Sequence, residues 1–251
     1  MSLCKACEEP LVLSLDPDEK ADVAGAETVP DDLGLSCGCH FHWQCLLDQS
    51  SEIVLSLKCP SCATYLPVNE AGPSATNPFM STPAGTLILA KYINEGGVQD
   101  NLDILPSITE EAYLETHPET RPARALHLMC TGGDVSGIVE LLRDASDEVD
   151  DMGSLIRYQD PLDDMKSGLH HAIEHMQDEV VWLLLWLSSA VSNESFPDSA
   201  RLAAESFGIG RLQVTTDGDI RGLQDAKGQT AGALAQQLQG PWTAMLEAGL
   251  L

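Results

Sequence analysis

Cys37-Gly-Cys39-His-Phe-His42-Trp-Gln-Cys45, followed by Cys59-Pro-Ser-Cys62, decides how the rest of the chain is read. With Cys4 and Cys7, this stretch places seven of the eight cysteines within the first 62 residues. They stand in pairs one or two residues apart, with His42 among them. Thiolates at that spacing can hold one tetrahedral Zn2+, whose structural sites are closed by four Cys or His ligands. Seven cysteines and one histidine supply eight ligands, enough for two closed sites. Unrelated buried thiols, or disulfides, would leave both the pairing and the histidine as coincidence.

In full the series reads C-x2-C-x29-C-x-C-x2-H-x2-C-x13-C-x2-C. Over residues 1–66 it resembles the RING finger, the zinc domain of many ubiquitin ligases. The resemblance implies that the ligand pairs alternate between two zinc ions. Cys4, Cys7, His42 and Cys45 would hold the first ion, and Cys37, Cys39, Cys59 and Cys62 the second. Such interleaving ties a long loop and a short helix together in a segment too small for a large apolar core. His40 is the alternative to Cys39, whose gaps to its neighbours are those the family usually shows. A PHD finger uses the same ligand types but leaves wider gaps around the fourth.

The charge balance is lopsided, with 13 Lys plus Arg against 39 Asp plus Glu and a formal net charge of −26. A polyanion is repelled by phosphate backbones, so nucleic acid is not an expected partner. The first residues, Met-Ser-Leu-Cys-Lys-Ala-Cys, show no apolar signal core. The greasiest run, 180–187, falls far short of the ~20 residues that span a bilayer, so no membrane is expected. Cysteines used as metal ligands suit a reducing compartment, cytoplasm and/or nucleus.

Between Cys7 and Cys37 lies a 29-residue loop with nine acidic residues. Leu11-Val-Leu-Ser-Leu15 within it reads as a strand, ended by Asp16-Pro17-Asp18. Leu33, Leu35 and Phe41 are the expected packing residues, and Trp43 to about Val54 reads as one short helix. Residues 67–85 carry four prolines and two glycines among small polar residues, the composition of a linker. Thr86 to Asn94 reads as a short helix stopped by Gly96-Gly97.

From about residue 120 a second pattern begins. Ala125-Leu-His127 precedes Gly133-Asp-Val135, Ile138 and Leu141-Leu142; Gly168-Leu-His170 precedes Val180 to Leu185; Asp225-Ala-Lys-Gly228-Gln-Thr230 precedes Leu234-Ala235. A weaker copy lies around Ala203-Ala204. Aligning Leu126, Leu169, Ala200 and Gly232 gives offsets of 43, 31 and 32 residues. These units resemble ankyrin repeats, which stack because no single helix pair can hide its apolar stripe. The resemblance implies that His127 and His170 bond backbone groups rather than act in catalysis. A generic helical bundle is the alternative. His171 and His175 are four apart and could share a metal, but they miss the H-E-x-x-H pattern, and the favoured reading is a solvated helix face. Cys130 reads as a small buried residue.

The chain is therefore expected to be multidomain. A small α+β zinc-stapled RING-like domain spans 1–66, a Pro/Gly-rich linker and irregular segment 67–119, and an all-α ankyrin-repeat solenoid 120–251. Nucleophile-elbow, phosphate-loop and dinucleotide motifs are absent from the sequence. By resemblance, the zinc domain would recruit a ubiquitin-conjugating enzyme, and the repeats would bind a protein substrate or larger assembly. RING catalysis orients a thioester without a covalent intermediate, so no catalytic side chain is assigned. The working surface would be chiefly Ala6, Trp43, Leu46 and Pro60. Ala6, Gln49 and Ala63 depart from the apolar, aromatic and basic residues usual at those positions. The competing reading is a non-enzymatic zinc-binding scaffold.

Overall fold

The computed structural model describes residues 3–14, 28–68, 86–148, 152–198, 201–202, 206, 208, 210–215, 218–238 and 240–251. Most of the acidic loop after Ser14, most of the Pro-rich segment, and Ala200, Ala203 and Ala204 lie outside them. The chain divides into two compact units, Met1–Pro118 and Glu119–Leu251.

In the first unit, strands β1 (Val12–Ser14) and β2 (Thr28–Pro30) form a small antiparallel pair. A second sheet has the order β4-β3-β5-β6, all antiparallel: β3 is Asp32–Leu35, β4 His40–Phe41, β5 Leu89–Asn94 and β6 Gly97–Asp103. Period-two alternation in β3 sends Leu33 and Leu35 into the core, where Phe41 joins them.

Two expectations are corrected here. The stretch 67–119 is not all linker and irregular chain, because its later part builds half of the larger sheet and a helix. Residues 89–94 are a strand rather than a helix. Tyr92 and Ile93 favour the extended state, and β3 supplies backbone partners, with Leu33 opposite Tyr92 and Leu35 opposite Ala90. The β5–β6 hairpin turns through Glu95-Gly96 into Gly97 (φ +116°), and Gly96 N–H donates to Asn94 Oδ1 at 2.9 Å.

Trp43 to Val54 is two helices rather than one: α1 (Trp43–Leu47) and α2 (Ser50–Ser56). Gln49 breaks the run at φ −114°, ψ 15°. Its N–H turns to the Leu46 carbonyl, and its side-chain amide donates instead to the Cys45 carbonyl at 3.1 Å. Helix α3 (Leu105–Thr116) packs on α1 and α2 and brings Ile108 and Ala112, both fully buried, into one core with Leu46, Ile53, Val54 and Leu57. Asp103 Oδ1 accepts from Leu105 N–H at 3.2 Å at the start of that helix.

The second unit is built from helix pairs: α4 (Arg121–Gly132) with α5 (Val135–Glu148), α7 (Gly168–Glu174) with α8 (Asp178–Ser188), and α9 (Ala231–Leu238) with α10 (Thr243–Glu247). Helix α7 lies against both α4 and α9. The weak copy aligned on Ala200 lies for the most part outside the described residues. Helix α6 (Met152–Ile156) and the hairpin of β7 (Gln159–Asp160) and β8 (Lys166–Ser167) occupy the over-long first interval.

Histidines stitch the pairs together. His127 Nε2–H donates to the Tyr158 carbonyl at 3.2 Å, and His170 Nε2–H to the Gln229 carbonyl at 3.0 Å. His170 Nδ1 accepts from Ser167 N–H and Ser167 Oγ–H, which fixes the tautomer and caps α7. Cys130 is fully buried, and its sulfur would be 3.1 Å from a Cβ placed on Gly168, so α4 and α7 approach closely at that glycine. Among the described residues no helix is long and apolar enough to cross a membrane.

Candidate metal centres

Eight side chains of the first unit converge into two groups of four. Cys4, Cys7, His42 and Cys45 form one and Cys37, Cys39, Cys59 and Cys62 the other; within each, all donor atoms lie within 4.8 Å of one another. Zn–S bonds of ~2.3 Å make tetrahedron edges of ~3.8 Å, so donors drawn this close fit a single tetrahedral ion. His42 Nδ1 lies 3.3 Å from Cys7 Sγ and 3.7 Å from Cys45 Sγ.

Local backbone geometry explains how the pairs come together. Cys4 and Cys59 each accept, at the carbonyl, the N–H of the residue four positions on, Glu8 at 3.0 Å and Ala63 at 2.9 Å. Glu8 (φ +63°) and Ala63 (φ +57°) are both left-handed, so the two Cys-x2-Cys turns share one conformation. Between Cys37 and Cys39 the turn needs Gly38 at φ +82°. The β3–β4 pairing then sets Cys39 and His40 on opposite sides. His40 Nδ1 meets Asp32 Oδ1 at 2.5 Å, and Cys39 enters the sulfur cluster. The choice between them thus falls to Cys39.

Around the first cluster the ligands are themselves held. His42 Nε2–H donates to the Pro10 carbonyl at 2.9 Å, leaving Nδ1 with its lone pair toward the thiols. His42 N–H donates to Cys4 Sγ at 3.4 Å. Helix α1, which carries Cys45, is anchored by Asp31: its buried carboxylate accepts from Trp43 N–H at 3.2 Å and from the Tyr92 hydroxyl at 2.9 Å. Burial, then that carboxylate, pushes the Tyr92 phenol up to about 12. In the second cluster Cys62 Sγ lies 3.2 Å from Thr64 Oγ1.

The thiols in each group cannot all ionise alone. Burial first, with neighbouring sulfurs adding to it, pushes Cys37 and Cys45 up to about 12. Burial and the same kind of neighbours raise Cys39 as well. A divalent cation removes that penalty by bonding the thiolates, which is why metal affinity and proton release are coupled. The donor set, sulfur-rich and borderline-soft, is the one Zn2+ takes in closed structural sites.

The sequence-predicted contact residues separate. Ala6 and Ala63 are exposed and Pro60 is half-buried, but Leu46 is 1% exposed and belongs to the core. Leu46 cannot serve as a surface contact. Trp43 is half-buried, its ring tilted on Tyr92 with centroids 5.1 Å apart. Asp31 and Tyr92, which hold Trp43 and α1, were not singled out by sequence. Tyr92 follows Asp31 by 61 positions and nothing local links them. His171 is likewise not on a solvated face: its side chain is only 8% exposed and its ring centroid lies 5.0 Å from that of His127.

Compared with models of known families, with curated proteins and with solved structures, the chain finds no match.

Proposed function

We propose that the first unit is a cross-braced zinc module of the RING type, acting as a ubiquitin ligase or ligase subunit. In this reading the helix pairs of the second unit are degenerate ankyrin repeats that hold a protein substrate or larger assembly. The observation that carries it is the alternation of ligand pairs: first with third, second with fourth. The zinc ions are structural, and ligase action is orientation of a conjugating enzyme's ubiquitin thioester beside them. Stacking through α7, with His127 and His170 each bonded to a later backbone carbonyl, supports the repeat reading.

The second reading, a non-enzymatic scaffold, rests on the surface beside the metals. With Leu46 buried and Ala6 small, Trp43 and Pro60 are left to form the contact, and interfaces depend on a few large anchors. Autoubiquitination by the purified full chain, across a panel of conjugating enzymes, separates the two. Conjugates that disappear in Cys37→Ser support the ligase. No conjugates with any enzyme, at two bound zinc ions per chain, would leave the scaffold.

A further inference from the structure

A third metal-ligand cluster lies in the second unit, away from the cysteine sites. His171, Glu174 and His175 sit on and just after α7, at positions i, i+3 and i+4, so one helix face carries all three. Their donor atoms lie within 4.8 Å of one another. Two features set this group apart from a chance surface cluster.

The first is His171. Its side chain is more than nine-tenths buried, and Nε2 has no hydrogen-bond partner among the described residues. The nearest carboxylate oxygen, Asp163 Oδ2, stands 3.7 Å away, beyond a hydrogen bond. A buried polar nitrogen left unpaired is costly and calls for a partner. The second is His175, whose Nδ1–H donates to the His171 carbonyl at 3.0 Å. That bond fixes the tautomer and leaves the Nε2 lone pair free, the same device by which Pro10 orients His42. Lys166 Nζ bridges the nearby carboxylates, 2.8 Å from Glu174 Oε2 and 3.2 Å from Asp163 Oδ1. A cation is thus already drawn to this spot.

We propose that His171, Glu174 and His175 form a third, reversible binding site for a divalent transition ion of the Zn2+ type, entered by displacing Lys166 from Glu174. Two imidazoles and a carboxylate suit Zn2+ and its neighbours rather than Mg2+ or Ca2+. Three protein ligands leave a fourth position for water or for Asp163. Because Glu174 and His175 are exposed, the site exchanges with solvent and binds more weakly than the cysteine clusters.

Calorimetric titration of the full chain, already loaded with two cysteine-held zinc ions, tests this with Zn2+ and Co2+ as probes. One further ion is expected, and its Co2+ spectrum should lack the sulfur-to-metal charge-transfer band of the thiolate sites. His175→Ala and Glu174→Gln, both at exposed positions, should each weaken it about tenfold or more, since even outer-shell losses cost that much. Lys166→Met should tighten it several-fold by removing the competing ammonium. Absence of a third ion, or a third ion indifferent to both ligand variants, would overturn the site. Weaker binding by Lys166→Met would overturn the displacement.

Discussion

Two histidines one residue apart in the strand-to-helix passage, His40 and His42, have opposite fates, and the difference is set by a hydrogen-bond partner. His42 gives Nε2–H to the Pro10 carbonyl and turns Nδ1 to Cys7 and Cys45; His40 goes to Asp32. Metal analysis should therefore find two zinc ions per chain in wild type and in His40→Ala. Cys39→Ser should lower the content toward one. Equal loss in both variants would contradict the ligand set.

His127 carries a pH dependence. Burial first, then the neighbouring His171 and Arg124, holds its imidazolium down to about pH 3, against the pull of the Tyr158 carbonyl and Asp163. Its ordinary value is 6.5, so the unfolded chain takes up the proton first. The contribution to stability is fully present above about pH 6.5 and is lost as pH falls from there toward about 3. Three of the four tryptophans, Trp182, Trp186 and Trp242, report on this unit. Urea unfolding followed by their fluorescence should show stability falling across that window, with a shallower slope in His127→Gln. Identical slopes would mean that the ring is not kept neutral.

At the scale of elements, helix α3 and the β5–β6 hairpin do in the first unit what its short N-terminal segment cannot. Three cysteine pairs and one His–Cys pair can staple loops, but the apolar residues of β3, α1 and α2 need a covering layer, and Ile88, Ala90, Ile104, Ile108 and Ala112 supply it. Ile108→Ala, at a fully buried position, should cost about 2–5 kcal/mol. A fragment ending near residue 66 should bind zinc without a cooperative unfolding transition, whereas one ending at Pro118 should show it. A sharp transition in the shorter fragment would relegate α3 to decoration. In the second unit Gly133 is the corresponding control point: it ends α4 at φ +73°, and a Cβ there would strike the Gln177 side chain, which caps the Thr131 carbonyl at 3.0 Å. Gly133→Ala should destabilise that unit by about 1–2 kcal/mol, through both the left-handed backbone and the collision.

At the scale of the molecule, the two units rest on different physics. The first gathers its loops around two Cys/His clusters that could each hold a metal ion; the second has an apolar cluster running from Ala123 to Leu250. Chelation should release two zinc ions and abolish the first unfolding transition in calorimetry while leaving the second in place. Loss of both together would show that the units are energetically coupled.

Spacing along the chain was sufficient for what depends on neighbours. The paired spacing of Cys and His is local, so all eight candidate ligands could be named without coordinates. The Leu-His pairs likewise marked α4, where Leu126-His127 lies mid-helix, and α7, which Leu169-His170 opens, because a 3.6-residue stripe is a local property. The extended form of residues 89–94 was not legible, since an apolar run this short suits helix or strand and the choice was made by β3, more than fifty positions away. The same holds for Leu46, which the sequence offered as a contact and the core claims, and for His171, which helical periodicity set on a polar face. Burial depends on what another element lays over a residue, and here those elements are α3 over Leu46 and the β7–β8 segment with His127 beside His171. The sequence by itself determined which side chains could bind metal and, through the resemblance, how they would group; only the tertiary structure brings them together, because each group joins pairs that the chain keeps twenty or more positions apart.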